Sequence, residues 1–189
     1  MSTKDQHKKY SPYQYLRLTF SNWGFTWEGL LNNRHGEWLL ICQLLILGLY
    51  LLPRPMINET IFVWSKSLII LSISLMVISI LIGIKSFIDL GTNLSPLPEP
   101  KKGANLVTTG LYKYCRHPIY LSLILFCSGL TIYKQSRIDF FLLILLSFLL
   151  KYKAQKEENR LKEIYTNYKE CMKSKGAIIK GIPFLDWQL

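Results

Sequence analysis

The sequence predicts an all-α membrane protein with about four transmembrane helices. Three observations carry this. Half of the 189 residues are apolar, and they are gathered rather than spread. The gathered runs are Trp38–Leu52, Ile61–Ile84, Ile119–Tyr133 and Ile138–Leu150, of 15, 24, 15 and 13 residues. Lysine and arginine, finally, alternate in density along the connections between them. A crossing needs about 20 apolar residues. The second run meets that length, the first borrows from its flanks, and the last two form a short hairpin whose lysine ends can snorkel.

The formal charge of +11 is explained by where the cations fall. Residues 1–36 carry five Lys/Arg, 53–60 one, 85–116 five, 134–137 two and 151–189 nine. This matches the positive-inside rule with both termini in the cytoplasm. The basic excess then reflects topology and attraction to anionic lipid, and nucleic acid is not an expected partner.

Residues 1–36 read as a cytoplasmic, interfacial segment. Tyr10, Tyr13, Tyr15, Phe20, Trp23, Phe25 and Trp27 crowd it, and aromatic rings with polar handles favour the membrane surface. Its polar start has no apolar core followed by a cleavage site, so no secretory signal is expected. Residues 37–84 supply the first two membrane helices, with Pro53-Arg54-Pro55 as a firm stop between them. The serines at 65, 67, 72, 74 and 79 and Gly83 suit close helix packing.

Residues 85–189 form the third region. Leu90–Pro100 is rich in Pro, Gly and Ser and reads as extended or turning. It holds no GxGxxG before a helix, which argues against a Rossmann cofactor site. Asn105–Tyr120 then runs from a polar loop into Arg116-His117-Pro118 at the mouth of an apolar run. Proline is readily accommodated at the first turn of a helix, so Pro118 is expected to begin one. A hairpin of the third and fourth helices brings Arg116 and His117 near Lys153 and Glu157, and such polar groups at a membrane rim suggest a site for a polar ligand. Lys151–Lys173 reads as a charged helix leaving the membrane, with Leu161, Ile164, Tyr165 and Tyr168 on one face. The tail Gly181–Trp187 should dock on the membrane or back on the protein.

Cys42, Cys115, Cys127 and Cys171 show no CxxC spacing, so metal or redox use is not expected. His7, His35 and His117 are too scattered to suggest a metal centre.

The motifs Leu106-Val107-Thr108-Thr109-Gly110-Leu111-Tyr112, Arg116-His117-Pro118-Ile119-Tyr120, Glu157-Glu158-Asn159-Arg160-Leu161, Tyr165-Thr166-Asn167-Tyr168 and Gly181-Ile182-Pro183-Phe184 occur in this order. Ser95-Pro96-Leu97-Pro98 leads into them. The ordered set, spanning roughly residues 91–185, resembles the isoprenylcysteine carboxyl methyltransferases and the related phospholipid methyltransferases. The resemblance implies an integral membrane methyltransferase using S-adenosyl-L-methionine, with a cytoplasmic cofactor pocket formed by the loop before helix 3 and the C-terminal helix. It places Ala104, Asn105, Leu106, Val107, Tyr112, His117, Pro118, Ile119, Tyr120 and Glu157 at the cofactor. It gives His117 and Lys153 catalytic roles, with Lys153 also contacting the substrate where eukaryotic carboxyl methyltransferases carry arginine. Lysine lacks the bidentate fork of arginine, and Leu111 stands where many members have proline.

A sulfonium methyl needs mainly positioning for transfer. His117 serves either as a base toward an amine acceptor or as an orienter of the cofactor. The acceptor is expected to be lipophilic and to enter from the bilayer: a prenylated peptide, a phospholipid amine, another lipid or a small thiol. The alternative is a non-catalytic membrane scaffold or lipid-binding protein that retains the pattern.

Overall fold

A computed structural model describes residues 27–33, 36–53, 65–100 and 103–187. Six α-helices follow in order: α1 Trp27–Asn32, α2 Glu37–Leu51, α3 Lys66–Leu90, α4 Pro118–Lys134, α5 Arg137–Ile164 and α6 Tyr168–Met172. Two 3-10 turns, Gly91–Asn93 and Gly110–Lys113, lie between α3 and α4. Among the described residues there is no β-sheet, only a parallel bridge between Cys115 and Gly176. The aromatic segment before Trp27 and the loop from Arg54 to Trp64 lie outside the described residues.

Among the described residues, α3 with its 3-10 extension, Lys66–Asn93, is the helix long and apolar enough to cross a membrane unaided. Glu37–Leu51 and Pro118–Lys134 are apolar but shorter. At about 1.5 Å per residue they reach roughly 22 and 26 Å, short of a hydrocarbon core of about 30 Å. The fourth apolar run is the first half of the 28-residue α5, which continues without a break from the apolar stretch into the charged one.

The packing is built on small residues inside and large apolar residues outside. On α3, Ser72, Ser79 and Ser86 are buried, while Ile70, Leu71, Ile73, Val77, Ile78, Ile80 and Leu81 are exposed. Each buried serine hydroxyl donates to a carbonyl of its own helix, at 2.8, 2.7 and 2.6 Å. The polar groups are thereby satisfied, and lipid-facing area is left to isoleucine and leucine. Gly129 lets α4 approach closely. A Cβ there would lie 2.8 Å from the Ser72 carbonyl oxygen and 2.8 Å from Met76 Cγ. The core joins Ile46 and Tyr50 of α2, Ile124 and Cys127 of α4, Leu146, Leu150 and Ala154 of α5, and Ile178 and Leu185 of the tail.

The end of the bundle away from the Arg-His-Pro motif is closed by polar contacts. The Tyr50 hydroxyl donates to the Asp139 carbonyl at 2.8 Å, and the Lys134 ammonium lies 3.7 Å from Asp139 Oδ2. Ser136 caps α5 by accepting from the Asp139 N–H at 3.1 Å.

The charged helix departs from its expected course. It does not continue to Lys173: α5 ends at Ile164, and Tyr165 is extended with φ −115° and ψ 108°. The run Ile164-Tyr165-Thr166 favours helix poorly, and the Tyr165 hydroxyl finds a partner in the Ala104 carbonyl. Leu161, Ile164, Tyr165 and Tyr168 therefore do not share one helical face. Ile164 is 56% exposed, whereas Tyr168 is buried at the start of α6.

Candidate active site at the mouth of the hairpin

Pro118 is the first residue of α4, and His117 is the residue before it. The loop leading to them is anchored on α3. Asp89 Oδ2 accepts the Leu111 N–H at 2.9 Å, and its Oδ1 is paired with Lys85. Gly110 permits this approach. Its φ is +60°, and a Cβ there would fall 2.2 Å from Asp89 Oδ2.

The tail is anchored from the other side. Backbone N–H groups of Arg116 and His117 donate to the carbonyls of Gly176 and Ala177 at 2.9 and 3.0 Å. Glu158 is the hub between tail and hairpin. Its Oε1 accepts from Arg116 Nε at 2.7 Å and pairs with His117 Nε2 at 2.9 Å, and its Oε2 accepts from Trp187 Nε1 at 2.8 Å. Arg116 also donates to the carbonyls of Lys175 and Trp187, at 2.8 and 2.6 Å. Burial alone would raise the Glu158 carboxyl. The His117 bond and charge, the Trp187 indole and the Arg116 charge outweigh it and hold the group below its ordinary range. An ionised carboxylate only accepts, so His117 Nε2 carries the proton in that bond.

The neighbouring glutamate points elsewhere. Successive residues on a helix diverge by about 100°, and Glu157 faces a cavity of about 270 Å³. Its Oε2 accepts from the Tyr120 hydroxyl at 3.0 Å and lies 3.8 Å from His117 Nδ1. The His117 and Tyr120 rings stack, with centroids 5.3 Å apart and planes within 7°. Lys153, one turn earlier on α5 and only 2% exposed, donates to Gln43 Oε1 at 2.8 Å. Its ammonium lies 5.5 Å from the centre of the Tyr120 ring. Lys153 stands past the apolar stretch of α5, and burial lowers its pKa to about 8, with Glu157 opposing the shift.

Of the residues singled out in the sequence, Tyr112, His117, Ile119, Tyr120, Lys153 and Glu157 line this one cavity. Ala104, Asn105, Leu106 and Val107 do not. The Ala104 carbonyl is drawn to the Tyr165 hydroxyl, and the Asn105 N–H donates to Asn93 Oδ1 at 2.9 Å, in the 3-10 turn that follows α3. Pro118 is buried behind the lining as the opening residue of α4. Cys115 takes no part: its thiol donates to the carbonyls of Ala177 and Ile178, and burial pushes it up to about 11.

Leu40 and Gln43 of α2, Phe87 and Leu90 of α3, and Leu94, Ser95 and Pro96 also line the cavity. Sequence reasoning missed these, together with the hub role of Glu158 and Trp187. A lone amide within an apolar run was the signal for Gln43. Nothing in the spacing marked Trp187, which closes its contacts only through the folded tail. Among the described residues no cluster of His, Cys, Asp or Glu could hold a metal ion.

Among the described residues, the helices form a bundle with large apolar side chains on its exterior and, at one end, a cavity lined by charged, aromatic and apolar side chains. The phospholipid methyltransferase family model matches residues 67–168, more than half of the chain. The chain belongs to this family of membrane methyltransferases, which act on lipid-type substrates. No curated protein matches it.

Proposed function

We propose that the chain is a multi-pass membrane enzyme that takes its methyl group from S-adenosylmethionine and transfers it to a lipophilic acceptor, in the manner of the isoprenylcysteine carboxyl methyltransferases. Four membrane segments place both termini and the cavity on the cytoplasmic side, and residues 85–187 carry the machinery. The observation that carries the reading is the placing of Glu157 and Lys153. They are side chains of opposite charge, one turn apart on α5, and both face one cavity walled by His117 and Tyr120.

The lining suits this cofactor. Glu157 offers a carboxylate for a cationic end, and Tyr112 and Tyr120 offer aromatic faces that favour a cation nearby. When bound, the cofactor supplies a methyl already activated on a sulfonium, so an acceptor lone pair can form the new bond as the C–S bond breaks. The residues' work is then to hold and orient, which can supply about 7–11 kcal/mol. Tyr120 fixes the Glu157 carboxylate through its hydroxyl. His117 is tied through Nε2 to Glu158, which favours an orienting role over that of a mobile base. Lys153 addresses the acceptor, and Leu40, Phe87, Leu90 and Ile119 offer an apolar wall for its chain.

Calorimetric titration of the detergent-purified protein with S-adenosylhomocysteine tests this. We expect saturable binding that Glu157→Ala weakens at least tenfold. A well-folded sample that binds none refutes the reading.

A further inference from the structure

The tail beyond α6 reaches the outside of the bundle. Phe148 belongs to the apolar half of α5 and is 56% exposed, and Lys151 is the first cation after that half. The Phe184 ring meets Phe148 edge to face, with centroids 4.5 Å apart, and the Lys151 ammonium lies 4.2 Å from the Phe184 ring centre. The tail is therefore seated where α5 passes from apolar to charged residues, against a side chain of the exterior and not of the core. The loop that carries Phe184 is closed on itself. Asp186 accepts the Ala177 N–H at 3.0 Å through Oδ1 and the Gly181 N–H at 2.9 Å through Oδ2. The Ile178 N–H donates to the Leu185 carbonyl at 2.9 Å. Ala177, Ile178 and Leu185 form a buried base. The tip Lys180-Gly181-Ile182-Pro183 is exposed at all four residues. A fixed base thus presents a cation, an isoleucine and a proline beside the rim of the membrane. The base runs directly into Trp187, whose indole donates to Glu158, so whatever holds the tip also holds the hub.

We propose that the loop Ala177–Asp186 is a membrane-binding element: Ile182 and Pro183 enter the bilayer interface, and Lys151 and Lys180 take anionic phospholipid headgroups of the leaflet beside the cavity, so that this lipid is a ligand of the docked tail. The inference goes beyond the methyl-transfer reading and does not rest on it. It requires only that the apolar half of α5 lies in the bilayer. Apolar side chains gain by entering the boundary between headgroups and acyl chains, and cations gain beside anionic headgroups. The attraction is roughly fivefold in a binding constant for each lysine at such a surface. A ligand that binds the docked tail and not the open one favours docking by mass action. The lipid composition of that leaflet then sets how firmly Trp187 is held on Glu158.

The test places the full-length protein in nanodiscs of phosphatidylcholine alone, or of phosphatidylcholine and phosphatidylglycerol in equal parts. Hydrogen exchange read by mass spectrometry follows the tail, residues 176–187. Wild-type tail amides should exchange about tenfold or more slowly in the anionic discs. Replacing both Lys151→Gln and Lys180→Gln should bring that ratio below about threefold. Lys180→Gln alone, at an exposed side chain, should lower it about fivefold, which keeps the charge test in force if the double variant fails to fold. Lys169→Gln with Lys173→Gln removes two cations from the same tail outside the loop and should leave the ratio near the wild-type value. Ile182→Ser should speed exchange in both kinds of disc, because it weakens insertion whatever the headgroup. Protection of residues 66–90 in the same samples should not change, which separates release of the loop from loss of the fold. Equal wild-type exchange in the two discs, a ratio that survives Lys180→Gln, or a ratio lost equally in the two lysine pairs overturns the proposal. So does an Ile182→Ser tail that exchanges as the wild type does.

Discussion

Adjacent glutamates on α5 should fail in opposite ways. Glu158→Ala removes a carboxylate shared by Arg116, His117 and Trp187, at 2.7, 2.9 and 2.8 Å. Arg116 is 6% exposed and would keep only its two carbonyl partners, Lys175 and Trp187. Stripping one partner from a buried ion pair costs about 3–5 kcal/mol. The α3–α4 packing and the apolar half of α5 do not depend on this hub, so the loss should be local, in the tail from Lys173 onward. At about 1.4 kcal/mol per tenfold, the open population of the tail should rise from about a hundredfold to a few thousandfold. Limited trypsin digestion in detergent, followed by intact mass, reads this as faster cleavage at Lys173, Lys175 and Lys180, because cleavage follows the open population when closing is fast. Glu157→Ala should leave tail cleavage within about twofold of wild type while weakening S-adenosylhomocysteine. Wild-type cleavage in Glu158→Ala, or equal acceleration in both variants, would refute the division. The same hub has a pH signature. The Glu158 carboxyl titrates below its ordinary value of 4.5, so its stabilisation is complete above that pH and is lost as pH falls through the folded value. With pepsin, which is active in acid, in place of trypsin, wild-type tail cleavage should therefore accelerate on acidification below 4.5 by more than that of Glu158→Ala.

Two further outcomes follow from the loop and from Lys153. Gly110→Ala should destabilise more than Gly103→Ala in thermal unfolding. Both glycines have positive φ, +60° and +75°, which costs alanine about 1–2 kcal/mol, but only at Gly110 would the new Cβ strike a neighbour, Asp89 at 2.2 Å. Equal shifts would mean that Asp89 does not clamp the loop. For Lys153, burial lowers the pKa from 10.5 to about 8, so the folded state carries a penalty that is complete below pH 8 and fades as pH rises to 10.5. Lys153→Met should therefore gain in melting temperature relative to wild type at pH 7 and lose that advantage by pH 10.5. A pH-independent difference would show that the ammonium is not desolvated.

Much of the architecture was legible in the chain because it follows from local rules. Apolar runs marked α2, α4 and the first half of α5 to within a residue or two of their observed ends, and Pro118 marked a helix start through its missing N–H. Of the small residues of the second run read as packing positions, Ser72 and Ser79 are buried and Gly83 lies against Ser122, whereas Ser65, Ser67 and Ser74 are exposed. The end of α5 was not legible. Periodicity continued through Tyr165 and Tyr168, but the tertiary contact from Tyr165 to the Ala104 carbonyl accompanies the break, and no local pattern encodes that contact. The site divides along the same line. His117, Lys153 and Glu157 could be brought together on paper because a hairpin returns the chain to its starting side. Gln43, Arg116 and Trp187 owe their positions to contacts across 110, 42 and 71 residues. The Glu-Glu pair shows why such contacts decide function. Helix-surface pairing treats the two residues alike, and only the family resemblance singled out Glu157. A turn of about 100° per residue sends one to the cavity and the other into a buried cluster with a guanidinium, an imidazole and an indole. The cluster pins His117 from behind, so that the face it presents to the cavity is fixed by a residue that never enters it.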